Sequence, residues 1–119
     1  MIGRAVEQEV PDQTRVVLVI TTVATRADAE SLGHRLVEER LAACAQVTPI
    51  DSIYRWEGVV RREIEWRLLL KTSVCVQAAL MSALRDQHPY ALPAIVVLPC
   101  TAVLPEFADW VGAETRPIP

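Results

Sequence analysis

The sequence predicts an α+β domain in the order βαββαβ, closed by a short C-terminal helix. Three observations carry that prediction. Val16–Val23 and Ala94–Leu98 are apolar, β-branched runs of strand length. Two stretches of helical periodicity each follow a strand, and between them two alternating runs meet at Glu57-Gly58. The 119 residues suffice for one domain with one core. A hydrophobic fraction of 51% with 23% charged residues excludes disorder and fibrous repeats. A formal net charge of -3 gives no long-range attraction to phosphate backbones or anionic lipid, so neither nucleic acid nor a membrane is expected as a partner.

Met1 to Thr14 is polar and aperiodic and contains Pro11, so a disordered N-terminal tail is expected over 1–14. The folded domain is placed at 15–113, with a second tail at 114–119. Val16–Val23 is apolar on both sides, as in a strand inside a covered sheet. Thr25 with Asp28 three residues on has the form of a helix start. Ala29, Leu32, Gly33, Leu36, Val37 and Arg40 then make one stripe at spacings of three and four. From Ala42 the period changes to two. Pro49 cannot donate to a ladder and implies an edge position or a bulge. Ile64, Trp66, Leu68 and Leu70 alternate with Glu63, Glu65, Arg67 and Lys71 on the return strand. Thr72 or Ser73 is expected to cap a second helix with Val76, Ala79, Leu80, Ala83 and Leu84 inward, stopped at His88-Pro89. Pro105 at a first helical position opens the last helix.

The hairpin is the informative element. A strand of about fifteen residues at roughly 3.3 Å each reaches about 50 Å, whereas a compact domain of this size is roughly 35 Å across. The hairpin must therefore overhang its core, with Ile53, Tyr54, Trp56, Val59 and Val60 near its tip. Open strand edges beside an apolar patch call for cover by another subunit, and closure by symmetry supplies it. The alternative is a hairpin curled over its own sheet.

Cys44, Cys75 and Cys100 are odd in number and lack a C-x-x-C pair, so neither a disulfide scaffold nor a zinc knuckle is suggested. With no signal-peptide core at the N-terminus, a reducing cytoplasm is the expected location. No window holds the roughly 18 uncharged apolar residues of a bilayer span.

Five short blocks stand in order: Glu39-Arg40-Leu41-Ala42-Ala43-Cys44, Ser52-Ile53-Tyr54-Arg55-Trp56-Glu57-Gly58, Leu70-Lys71-Thr72, His88-Pro89-Tyr90 and Ala108-Asp109-Trp110-Val111. Together they resemble the CutA divalent-cation tolerance family from Val16 to Val111. The resemblance implies a ferredoxin-like fold in a tight homotrimer whose hairpins pair between neighbours. It also implies a non-catalytic role in tolerance of copper or another divalent cation, with no metal required for folding. Members of that family commonly carry acidic residues where this chain has Ala91 and Ala94, which weakens any metal site built around His88.

Cys44 matches the family's cysteine and is a candidate ligand for a soft ion; the alternative is a small buried hydrophobe. His88 is a second metal-ligand candidate, weighed against a role capping the preceding helix's last carbonyls. Tyr54, Trp56 and Trp66 are expected to anchor a subunit interface. His34 is expected to be solvated, and Cys75 and Cys100 structural. Beside the metal-associated trimer stands a trimeric module sensing a small molecule or nucleotide in clefts between subunits. No Gly-rich phosphate loop supports the nucleotide version. An acylphosphatase-type enzyme would suit the element order, but Thr21 to Thr25 supplies neither glycine nor Asn for a phosphate cradle.

Overall fold

Residues 15–115 are described by the computed structural model; the tail expected over 1–14, and residues 116–119 of the tail expected over 114–119, lie outside them. The order is β1 (Val16–Val23), α1 (Arg26–Glu38), β2 (Cys44–Trp56), β3 (Val59–Ser73), a 3-10 turn (Val74–Val76), α2 (Gln77–Gln87), β4 (Ile95–Pro99) and α3 (Pro105–Glu114). The strands form one sheet in the order β2-β3-β1-β4 with every pair antiparallel. This is the α+β arrangement with the long β2-β3 hairpin that the sequence predicts.

Val17, Val19, Thr21 and Val23 of β1 stand beside Thr72, Leu70, Leu68 and Trp66 of β3. Side chains alternate across a strand, so these positions share one face, and α1 and α2 pack on it through Leu32, Leu36, Leu80 and Leu84. Gly33 brings α1 close to the sheet: a Cβ there would meet Ala45 Cβ and Leu68 Cδ1 at 3.1 Å. A second cluster joins α3 to the sheet's other end through Val16, Ala43, Ala108 and Val111.

Local signals explain the boundaries. Thr25 Oγ1 accepts the Asp28 N–H at 3.1 Å, satisfying an orphan donor of the first turn of α1. The helix ends in a Schellman motif. Arg40 takes φ 62°, its N–H donates to Val37 C=O at 3.0 Å, and the Leu41 N–H donates to Leu36 C=O at 3.0 Å. At the hairpin tip Glu57 and Gly58 have φ 51° and 79°. Positive φ at both central residues is a type I′ turn, whose twist matches its strands.

Of the two expectations for Pro49, the edge position holds: it faces Trp66 in a register unbroken from Cys44↔Lys71 to Trp56↔Val59, without a bulge, and β2 is an edge strand. Two other expectations are corrected. Neither Thr72 nor Ser73 caps the second helix. Thr72 Oγ1 donates to Leu41 C=O at 2.7 Å, and Ser73 Oγ lies 2.8 Å from Thr115 Oγ1, tying β3 to its neighbours instead. The last helix runs to Glu114 and Thr115 is 1% exposed, so the fold reaches past the boundary drawn at 113.

The overhang is real. The molecule measures 58 × 32 × 20 Å with a radius of gyration of 16.3 Å, against about 13 Å for a compact domain of this length. Ile53, Trp56, Val59 and Val60 are 70%, 45%, 55% and 60% exposed. The hairpin does not curl back over its own sheet.

Candidate functional site

The β2-β3 ladder is long enough that its middle section passes the ends of β1 and α2, where the chain between α2 and β4 turns over the sheet. A cleft of about 870 Å³ opens there, with Thr22, Tyr54, Trp56, Glu63, Glu65 and Tyr90 in its walls. It sits on the sheet face opposite α1 and α2. Tyr54 pairs with Arg61 and Ser52 with Glu63, and residues two apart on a strand point the same way, so Arg61, Glu63 and Glu65 share that face.

His88 is the staple of this corner. Its Nδ1 accepts the Tyr90 N–H at 3.0 Å, and a main-chain N–H can only donate. Nε2 therefore carries the hydrogen of the neutral ring. It lies 3.0 Å from Thr22 C=O, to which it donates, and 2.9 Å from Thr21 Oγ1. The residue is 9% exposed. Burial pushes its pKa below the ordinary value, against opposing pulls from the bond to Thr22 and the charges of Asp28 and Glu65. The expected cap on the carbonyls of α2 is replaced by this cross-link to β1.

The cross-link positions Tyr90, whose hydroxyl donates to Glu65 Oε2 at 2.8 Å, while its ring lies 5.0 Å from that of His88. Across the cleft the Tyr54 hydroxyl donates to Glu63. Burial raises the Tyr90 pKa, with the bond to Glu65 adding to it. The bond to Glu63 leads the rise at Tyr54. Both phenols stay protonated and serve as donors to the two carboxylates.

The two metal-ligand candidates are not brought together. Cys44 opens β2 opposite Lys71 and lines a separate cleft of about 410 Å³ with Glu30, Gly33 and His34. His88 lies across the intervening strand β3, against Thr21 and Thr22 of β1, with both ring nitrogens engaged. No group of three or more His, Cys, Asp or Glu side chains that could hold a metal ion occurs among the described residues. Cys44 is half-buried rather than buried, Cys100 likewise, and Cys75 is exposed, its Sγ 3.3 Å from Ser73 Oγ. His34 is exposed on α1, 3.5 Å from Glu38.

The three aromatic residues expected at an interface separate. Tyr54 and Trp56 line the large cleft on the exposed hairpin. Trp66 packs against the protomer's own core, with the Arg26 guanidinium 5.5 Å from its ring centre. Sequence reasoning missed Glu63, Glu65 and Tyr90 as site residues. A signal existed for Glu63: a two-residue turn at Glu57-Gly58 fixes the register, which sets Tyr54 and Glu63 diagonally on one face.

The family model described as CutA1 divalent ion tolerance protein matches residues 17–114. This chain belongs to that family. It is 38% identical to "Divalent-cation tolerance protein CutA" of Escherichia coli K12 over 109 residues, 91% of this chain and 97% of that protein. A structure of CutA from Synechococcus elongatus complexed with a Bis-Tris molecule is 41% identical, with a TM-score of 0.79 over 84% of this chain and 93% of the other. A periplasmic divalent cation tolerance protein CutA from Archaeoglobus fulgidus is 30% identical, with a TM-score of 0.82 over 85% and 99% of the two chains. Membership in the CutA1 family makes divalent-cation tolerance the functional frame for the cleft and the hairpin.

Proposed function

We propose that this CutA1-family chain serves divalent-cation tolerance as a homotrimeric, non-catalytic binding protein of the cytoplasm, with copper the first ion to test. The observation that carries the assembly is the overhanging hairpin: its apolar end and the free edge of β2 have no cover within one protomer. A closed ring of three copies would pair those edges without leaving an end for further growth. The donors of one protomer do not make a ligand set for a divalent ion, so no ion is assigned to it; Cys44, half-exposed and soft, is the donor whose removal is informative.

The test has two parts. Light scattering of the purified protein should give three times the chain mass across a wide concentration range, and a monomer would remove the assembly. Deleting the gene should lower the copper concentration that halts growth, and the wild-type gene should restore it while Cys44→Ser restores it less. Unchanged sensitivity in the deletion would remove the tolerance role for copper.

A second reading is a small-molecule module using this cleft. It is supported by the cleft's size, which falls in the range of ligand pockets, and by the Bis-Tris complex of the relative that is 41% identical.

A further inference from the structure

We propose that the cleft beside Tyr54, Glu63, Glu65 and Tyr90 takes a protonated organic amine carrying an apolar or aromatic body. The inference rests on the small-molecule reading and names the ligand class for that site.

Size comes first. At about 870 Å³ the cleft is far larger than a metal ion or its inner hydration shell needs, and it suits a molecule of many heavy atoms. Most of its surface is apolar, from Ile53, Trp56 and Leu92 together with the tyrosine rings. Such walls take a hydrocarbon body and leave the polar groups to decide what that body must carry.

Those polar groups are one-sided. Glu63 and Glu65 are two residues apart on β3 and face the same way. Neither makes an ion pair among the described residues, whose ion pairs involve Arg26, His34 and Arg62. Their hydrogen bonds come from the Tyr54 and Tyr90 hydroxyls. Once each hydroxyl hydrogen is spent on a glutamate, what the phenols offer the cleft is lone pairs. Arg61 is the cation in the lining, so the formal charge of the walls is two carboxylates less one guanidinium. A wall rich in acceptors with an excess negative charge selects a donor-rich cation. An ammonium N–H group can reach the carboxylate oxygens as a charge-assisted bond while its charge rests against an aromatic face. A phosphate or carboxylate ligand would meet like charge at the same place, which argues against nucleotides.

Calorimetric titration of the full-length assembled protein near pH 7.5 with 4-phenylbutylamine, 4-phenylbutanol and 4-phenylbutanoate separates the cases. These probes share a body and differ in charge. The amine should bind roughly tenfold more tightly than the alcohol, and the carboxylate should not bind. Glu65→Gln and Glu63→Gln should each weaken the amine several-fold and leave the alcohol unchanged. Tyr90→Phe should weaken it less, since both carboxylates remain. Alcohol or carboxylate binding as tightly as the amine, with all binding lost in Leu92→Trp, would overturn the amine assignment and keep the small-molecule reading. Absence of binding by all three probes would overturn both. Unchanged amine affinity in the two Glu→Gln variants, with their circular dichroism intact, would also overturn the assignment.

Discussion

Both halves of strand β3 place apolar side chains on the same face, and these have opposite fates. Leu68 and Leu70, in the half that lies beneath the helices, are 0% exposed, whereas Ile64 and Val60, on the same face farther out with Arg62 between them, are 68% and 60% exposed. Apolar character does not distinguish these four residues; cover does. Helix α1 begins at Arg26, over Trp66, and runs back away from the hairpin tip, so among the described residues the distal ribbon is left uncovered on that face. An alternating pattern thus states that a face is to be buried without stating by what. Where the protomer supplies no partner, the pattern points outward to another chain.

Two substitutions probe this contrast. Leu68→Ala removes a side chain that touches both α1 and the neighbouring strands, and it should cost about 2–5 kcal/mol. Chemical unfolding at fixed chain concentration measures this, and the concentration must be fixed because assembly feeds into apparent stability. Val60→Asp changes a side chain that is already 60% exposed in the protomer. It should leave the far-ultraviolet circular dichroism intact and lower the light-scattering mass toward that of one chain. If Val60→Asp instead keeps the assembly and melts like the wild type, the distal ribbon has no partner and the comparison collapses.

The covered half was legible in the sequence because its signals are local. Thr25 with Asp28, the alternation through Leu70, Pro105 and the Glu57-Gly58 turn each act within a few residues, and each appears where the pattern sets it. The length of the hairpin was legible too, since a strand's rise is fixed. The cleft was not, because it depends on a non-local event. His88 had to be seen bonding to Thr21 and Thr22, 67 and 66 residues away, before Tyr90 could be placed over Glu65. Trp66 was legible only in part: its place in a long hairpin marks it as an aromatic anchor, and the register opposite Val23 is what sets it beside the protomer's own core.

His88 gives a pH test of the corner that joins the two halves. Burial lowers its pKa from 6.5 in the folded protein, so the unfolded chain binds more protons as pH falls through and below that value. Stability from this residue is then complete above pH 6.5 and declines as pH falls toward the folded pKa. Protonation would set an Nδ1 hydrogen against the Tyr90 N–H, donor against donor, and lift the loop from β1. The melting temperature of the wild type should therefore fall between pH 7 and 5 by more than that of His88→Gln, which keeps an amide near Nε2 and does not titrate. Parallel curves would assign the acid loss to other groups. Thr21→Val, which removes a hydroxyl from a 1% exposed position beside Nε2, should cost about 1–2 kcal/mol at neutral pH.

The smallest effects come from the two non-glycine residues with positive φ, one in each half. Glu57 at the hairpin tip and Arg40 after α1 both bear the left-handed penalty of a side chain with a Cβ, about 1–2 kcal/mol. They differ in what they receive for it. Glu57 is exposed at the tip of an isolated turn, where asparagine fits the same φ more readily. Arg40 donates from Nη2 to Ala113 C=O at 2.6 Å, linking the end of α1 to α3. Glu57→Asn should therefore raise stability by a fraction of a kcal/mol, whereas Arg40→Gly, which relieves strain but gives up that bond, should change it by less than about 0.5 kcal/mol. Equal gains at both sites would mean that the Ala113 contact contributes nothing and that α1 and α3 are joined by apolar packing alone.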